Sequence, residues 1–240
     1  MRMDDSVAVS FAVGVQRVSG VLTIPDGARA GYVVAHGAGA GMKHPFMTAV
    51  TLGLAQRGIA TLRYNFPYME RGSKRPDPPK VAQAAVRAAV AEALGRLSRL
   101  PLFAGGKSFG GRMTSQAQAA SPLEGVRGLA FLGFPLHAPG KVSDERGAHL
   151  ADVKVPMVFL QGSRDDFATL DLLGPLTVRL GATLRVFDDA DHSFHVPART
   201  GRKDAAVLAE VLDVLAGWIE AVLATGPEAA AGSPEAARRR

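Results

Sequence analysis

Two textures of apolar residue follow one another along the chain. Val7 to Val15 alternates apolar with small or polar residues, Gln16 to Ile24 does so again, and Pro25-Asp26-Gly27 ends the second run. A period of two is that of strands with one covered face, so this start predicts an antiparallel strand pair. From Gly31 onward the runs become short and largely apolar: Tyr32–Ala35, Ile59–Tyr64, Leu102–Gly105, Gly128–Leu132, Val155–Leu160 and Thr183–Phe187. Strands of that kind are buried on both faces of a parallel sheet.

Helical spacing fills the gaps. Phe46, Val50 and Leu54 recur through Pro45–Arg57. The clearest stripe is Val81, Ala85, Val86, Ala89, Val90, Ala93, Leu94 and Leu97, with Arg87, Glu92 and Arg96 off it. Further helices are expected from Phe109 to Ala120, over 169–180 and over 203–223, the last on Val207, Leu208, Val211, Leu212, Leu215 and Ile219. An antiparallel pair followed by repeated strand–helix units predicts an α/β fold with a doubly wound, mostly parallel sheet. Residues 1–224 read as one domain and 225–240, rich in Ala, Gly, Pro, Glu and Arg, as a disordered tail. No long insertion separates 128–132 from 155–160, so no large lid domain is expected.

One junction carries chemistry. Gly106-Lys107-Ser108-Phe109-Gly110 lies between the apolar run ending at Gly105 and the helix that follows. A G-x-S-x-G turn from strand to helix holds its serine at a strained apex, and small residues two positions to either side let the turn close. The helix starting at Phe109 points its free N–H groups and positive dipole end back at Ser108.

In a sheet of this class functional groups sit just beyond the carboxyl ends of the strands. There the chain places His36-Gly37-Ala38-Gly39, then Asn65, then Ser108, then His137, then Asp165-Asp166, then Asp188-Asp189-Ala190-Asp191-His192. The order Ser108, Asp165, His192 is that of a serine relay on this fold. A serine hydroxyl needs a base to take its proton, an imidazole can take and return one near neutral pH, and a carboxylate fixes the imidazole tautomer. Asp165 and Asp166 cannot both face the histidine. Asp165, three residues after Gly162, is the expected partner, and Asp166 caps or faces solvent. His192 is preferred to His195 for the turn that precedes it, whose three aspartates are either simply a solvated turn or a bias on the ring toward its charged form. The N–H groups of Ala38 and Phe109 are the expected oxyanion donors. Possible substrate-lining residues are His36, Gly37, Tyr64, Asn65, Lys107 and His137, although a solvent-facing Lys107 is the plainer expectation. His44 and His149 are expected at the surface.

Composition narrows these readings without redirecting them. The 240 residues are 47% hydrophobic and 21% charged, with no cysteine, which removes disulfides, thiolate metal sites and a cysteine nucleophile. No run approaches the roughly 20 apolar residues of a membrane span, and Met1–Asp5 opens no signal-like apolar stretch, so a cytoplasmic protein without integral membrane association is expected. The formal charge of +6 gathers partly in Arg71, Lys74, Arg75 and Lys80 and partly in Arg238–Arg240. Without aromatic interleaving or a recognised module, nucleic acid is not an expected partner. Binding of the basic segments to a membrane surface is a rival use for them. No metal or organic cofactor is required.

Taken together, His36-Gly-Ala-Gly, Arg63-Tyr-Asn-Phe-Pro, Gly106-Lys-Ser-Phe-Gly-Gly-Arg-Met, Phe134-Pro-Leu-His, Gln161-Gly-Ser-Arg-Asp and Asp191-His-Ser-Phe resemble the compact bacterial α/β-hydrolases of the dienelactone-hydrolase-like superfamily. They are more closely similar to the α/β-hydrolase-like domain shared with animal testis-expressed and NSL chromatin-complex subunits. The resemblance spans roughly residues 18–222 and implies an α/β-hydrolase fold. A serine stands where dienelactone hydrolase typically has cysteine, so that substrate does not carry over. The expectation is a serine hydrolase acting on a small ester or thioester. The rival from another class is an interaction or scaffold protein that kept the fold, as the chromatin-associated relatives suggest.

Overall fold

The computed structural model describes residues 6–225. Eight strands, β1 (Ser6–Val13), β2 (Gln16–Thr23), β3 (Ala30–Ala35), β4 (Ile59–Tyr64), β5 (Leu102–Lys107), β6 (Val126–Leu132), β7 (Met157–Gly162) and β8 (Thr183–Phe187), form one sheet. Their spatial order is β1-β2-β4-β3-β5-β6-β7-β8. The first two pair antiparallel through the tight turn at Gly14–Val15, and β2 lies antiparallel on β4. Every other pairing is parallel. β3 and β5 are buried at all six positions each, whereas β1 alternates exposed and buried. That is the two-texture pattern expected of covered and half-covered strands.

The topology positions the site. From β3 the chain steps outward to β4, then returns past β3 to lay β5 on its other side. Strand order therefore reverses between β3 and β5, and the loops leaving their carboxyl ends part there to leave a crevice.

The helices are α1 (Pro45–Ala55), α2 (Pro67–Glu70), α3 (Pro79–Arg96), α4 (Phe109–Ala120), α5 (Leu170–Arg179) and α6 (Asp204–Ala224). On one face Met47, Val50 and Leu54 of α1 pack with Val207, Val211 and Leu215 of α6 against Tyr32 and Val34. On the other, Val86 and Ala89 of α3 and Met113 and Ala117 of α4 cover Val33 and Ala35, and Leu173 of α5 continues that core toward the β8 edge. Alternate residues of one strand thus feed two cores.

Class, strand pair and order of elements are as expected, and the differences are local. β7 begins after Pro156, which has no N–H to give a ladder, and runs on to Gly162. β5 extends two residues further, to Lys107. Val81 is 38% exposed, because the buried stripe of α3 starts at Ala82. The short α2, opened by Pro67 at its first turn, was not expected. Nor was the 3-10 turn Glu145–Asp152, the one helical element between β6 and β7. The tail expected from 225 lies, beyond Thr225, outside the described residues.

Candidate active site

Ser108 follows directly on β5 and occupies the N-cap position of α4 with its backbone at φ 49°, ψ −117°, a region that side-chain-bearing residues avoid. Packing against β3 is what permits the turn. A Cβ on Gly106 would lie 2.3 Å, and one on Gly110 2.5 Å, from the Ala35 carbonyl oxygen. Neither position admits a side chain, so strand and helix can both crowd β3 and leave Ser108 at the apex.

The serine meets residues from two other strand ends. Ser108 Oγ lies 2.8 Å from His192 Nε2, and His192 Nδ1 lies 2.7 Å from Asp165 Oδ2. Asp165 accepts two more bonds, from Gln161 Nε2 at 2.5 Å and, at Oδ1, from the Phe167 N–H at 2.8 Å. A carboxylate ringed by donors takes the Nδ1 proton as its third, which leaves Nε2 as the acceptor facing Ser108. Burial holds the His192 imidazole below its usual range. The Asp165 bond opposes that shift, the Lys107 charge adds to it, and the charges of Asp165 and Asp191 oppose it. Asp191 of the aspartate-rich turn does act upward, as expected, but desolvation outweighs it and the net direction is down.

The support behind Asp165 was not read from the sequence. Gln161, fully buried on β7, accepts the Phe134 N–H at 2.9 Å while its amide holds Asp165. Phe134 is itself locked among Phe131 and Phe159, with ring centroids 5.2 and 5.4 Å away. Phe167 stacks on His192 at 4.3 Å, covering one face of the imidazole. A glutamine four residues before the aspartate on a buried strand was the available signal, since a buried amide needs partners.

The remaining expected residues divide. Ala38, Gly37 and Lys107 border the same cleft as Ser108. A Cβ on Gly37 would stand 3.8 Å from Ser108 Cβ. Phe109 is the first residue of α4, where an N–H has no intrahelical acceptor. Among the described residues no backbone acceptor takes the Ala38 N–H.

Four residues expected to line substrate do not border that cleft. His36 is completely buried: its Nε2 accepts the Phe66 N–H at 3.1 Å and its Nδ1 donates to Gly37 O at 2.7 Å. Burial lowers its pKa to about 4, so it is a neutral ring bracing two loops. Tyr64 is buried beside Phe11 and Phe66. Asn65 accepts the Met42 N–H at 2.9 Å and donates to Glu70 at 3.0 Å, fastening loops to each other. His137 accepts the Thr169 N–H at 3.2 Å, and its own N–H donates to Phe167 O at 2.9 Å, so it ties down the loop that carries Asp165. It borders a second cleft of about 480 Å³ on the far side of Asp165, which does not reach Ser108.

Two further readings change. Lys107 is buried, not solvent-facing. His149 is half-buried, lies 2.7 Å from Ser115 Oγ, and has its pKa lowered to about 4 by burial first and Arg112 second. His44 is exposed as expected, yet its Nδ1 accepts the Phe46 N–H and caps α1. Asp166 faces solvent, and His195, also exposed, pairs with Asp204 at 2.8 Å.

Above Ser108 opens a cleft of about 510 Å³, with Phe46, Met47 and Phe167 as apolar wall and His44, Ser193 and His195 as polar rim. Such a shape takes a small molecule with an apolar part. Among the described residues no three His, Asp or Glu side chains converge as a metal site would, and no helix is long and apolar enough to cross a membrane.

Comparison with solved structures finds the same fold. A dienelactone hydrolase from Anabaena variabilis shares 23% identity over 90% of this chain and 97% of its own, with a TM-score of 0.70. A Xanthomonas campestris α/β serine hydrolase without lid shares 20% over 91% and 97%, at 0.69. Est1E of Butyrivibrio proteoclasticus with ferulic acid bound shares 14% over 90% and 100%, at 0.71. At these identities the likeness is one of architecture. The model of the alpha/beta hydrolase domain family matches residues 28–220, most of the sheet and all six helices but the last turn of α6, so the chain belongs to the alpha/beta hydrolase domain family.

Proposed function

We propose that this protein is a serine hydrolase that cleaves an ester or thioester of a small substrate through an acyl-enzyme. The observation that carries the reading is the unbroken line of hydrogen bonds from Ser108 Oγ through His192 to Asp165. As Oγ bonds to the substrate carbonyl carbon, its proton moves to His192 Nε2 and the carbonyl electrons move onto oxygen. The N–H groups of Ala38 and Phe109 receive that oxyanion, each donor of this kind contributing about 3 kcal/mol in the transition state. Collapse expels the alcohol or thiol, which takes the proton back from Nε2. Water then attacks the acyl-serine by the same route, with His192 again as base. Asp165 keeps the proton on Nδ1 and stabilises the imidazolium between the two transfers.

The apolar wall beside Ser108 favours an acyl or alkyl group over a strongly charged one. Kinship with the dienelactone-hydrolase-like group and with the animal testis-expressed and NSL-complex subunits belongs to this proposal. That kinship is what makes a non-catalytic scaffold the rival reading.

A fluorophosphonate probe separates the two. It should label the wild-type protein, and Ser108→Ala should abolish labelling. A folded wild type that stays unlabelled would favour the scaffold. Where labelling occurs, turnover of p-nitrophenyl esters of increasing chain length reads the depth of the apolar wall.

A further inference from the structure

Lys107 sits at an unusual place for a lysine. It is the last residue of β5, paired in register with Leu132 of β6 and one position before the serine. The residue is only 9% exposed. No ion pair to its ammonium occurs among the described residues. An unpaired buried ammonium is strongly unfavourable, and a methionine of similar length would fill the same space without that penalty. The position of Nζ shows what the charge serves. It donates to the main-chain oxygen of His192 at 2.5 Å. It also lies 6.0 and 5.9 Å from the ring centroids of Phe46 and Phe194, at the outer reach of a cation–π contact. Gly133 makes room for it, since a Cβ there would stand 2.8 Å from Nζ.

Resting on the hydrolase reading above, we infer that Lys107 is a positioning residue that clamps the His192 loop by its carbonyl and so sets the imidazole between Ser108 and Asp165. The hydrogen bond runs from a central strand to the main chain of a loop that is also held by Ala190 O accepting the Arg164 N–H, by the buried ring of Phe194, and by Asp191 Oδ1 accepting the N–H groups of Ser193 and His195. A charged donor gives that single contact about twice the strength of a neutral one. The same charge has an electrostatic consequence, because a cation near the ring opposes a second positive charge. Two charged groups act on Lys107 at this spot, Asp165 from the loop after β7 and Asp191 from the loop after β8, and the titratable ring of His192 faces it from the same loop as Asp191. Phe46 of α1 and Gly133 after β6 bring none. The His192 shift agrees in sign, with the Lys107 charge lowering it against the two aspartates. Lys107 itself is depressed to about 8 by burial, which the same aspartates resist.

The test joins steady-state kinetics on p-nitrophenyl acetate with NMR titration of the His192 ring, which needs no turnover. Lys107→Met should raise the His192 pKa by about half a unit or more and move the acid limb of kcat/KM upward with it. It should lower kcat about tenfold or more with little change in KM, as loss of alignment does. In the wild type the His192 ring should report a second titration near pH 8, absent from Lys107→Met. Lys107→Arg, which keeps the charge, should restore the His192 pKa toward wild type. If the methionine variant does not fold, Lys107→Gln makes the same comparison of ring titration. An unmoved His192 pKa together with unchanged kcat overturns the proposal. So does a rise in KM confined to carboxylate-bearing esters with His192 unmoved, which would make Lys107 a substrate-anion receptor. Absence of turnover in the wild type would sink the hydrolase reading, while the NMR shift would still report whether the clamp exists.

Discussion

His192 and His195 stand three residues apart on one loop, and each turns Nδ1 toward a carboxylate, Asp165 at 2.7 Å and Asp204 at 2.8 Å. By distance the pairs are equivalent. Their titrations move in opposite directions: His195 is raised, first by its bond to Asp204, whereas His192 is lowered, first by burial. The side chains of the His192 pair are 19% and 0% exposed, and those of the His195 pair 60% and 57%. A carboxylate in water draws a proton onto its histidine. The same carboxylate inside the protein, already committed to Gln161 and Phe167, orients a ring that burial keeps neutral. A resting base must be neutral and must have a second partner, and only His192 has Ser108 on its other nitrogen.

The largest expected effect breaks that contrast at its centre. His192→Ala should lower kcat/KM for p-nitrophenyl acetate by about 10,000-fold or more, with Asp165→Asn in the same direction but less, since the relay acts as a unit. Residual activity equal to wild type in His192→Ala would show that the proton goes elsewhere.

His36 sharpens the contrast, being a histidine buried without any carboxylate. Its Nε2 accepts the Phe66 N–H, a role a protonated ring cannot fill. Between the folded value of about 4 and the ordinary 6.5, the unfolded chain binds the proton and the folded one does not. Stability is therefore present near pH 7 and is lost as pH falls through this window. At pH 5 the loss attributable to His36 should be about 2 kcal/mol. Urea unfolding at pH 7 and pH 5 measures it, and His36→Gln should lose less between the two than the wild type. Equal losses would show that the ring carries no such burden.

How much of this was legible follows from where the partners lie. Ser108, Asp165 and His192 could be read because each follows a strand and the parallel sheet brings strand ends to one rim. The glycines at 106 and 110 marked the elbow by their spacing alone. His36 also follows a strand, yet its partner is Phe66, set by the shape of an unforeseen turn into α2, so its use as a brace left no local trace. Tyr64 and Asn65 failed as lining residues for the same reason. Lys107 was the recoverable error. It belongs to β5, flanked by β3 and β6, and a central strand covered on both faces has no solvent to offer a side chain short of its tip. Gln161 was hidden by its chemistry: a buried amide announces that it has partners but not which ones.

The smallest expected effect lies on His195, and it tests the exposed half of the comparison. His195 borders the cleft and pairs with Asp204, while the hydrogen bond to Ser108 Oγ is made by His192. The raised pKa of His195 means that it keeps its proton to higher pH than a free histidine, so near neutrality less of it than of His192 is in the unprotonated form that can accept a proton. Salt screens an exposed pair, and two long-range charges in water add little to any transition state. His195→Ala should therefore change kcat/KM for a neutral ester by less than about threefold. The effect should shrink further in 0.5 M salt, roughly where the Debye length falls below about 5 Å. Measured beside His192→Ala on the same substrate, the ratio of the two losses is the comparison expressed as a rate. A ratio near one, or a His195→Ala loss that persists in salt, would mean that the two imidazoles share the proton and that burial does not distinguish them.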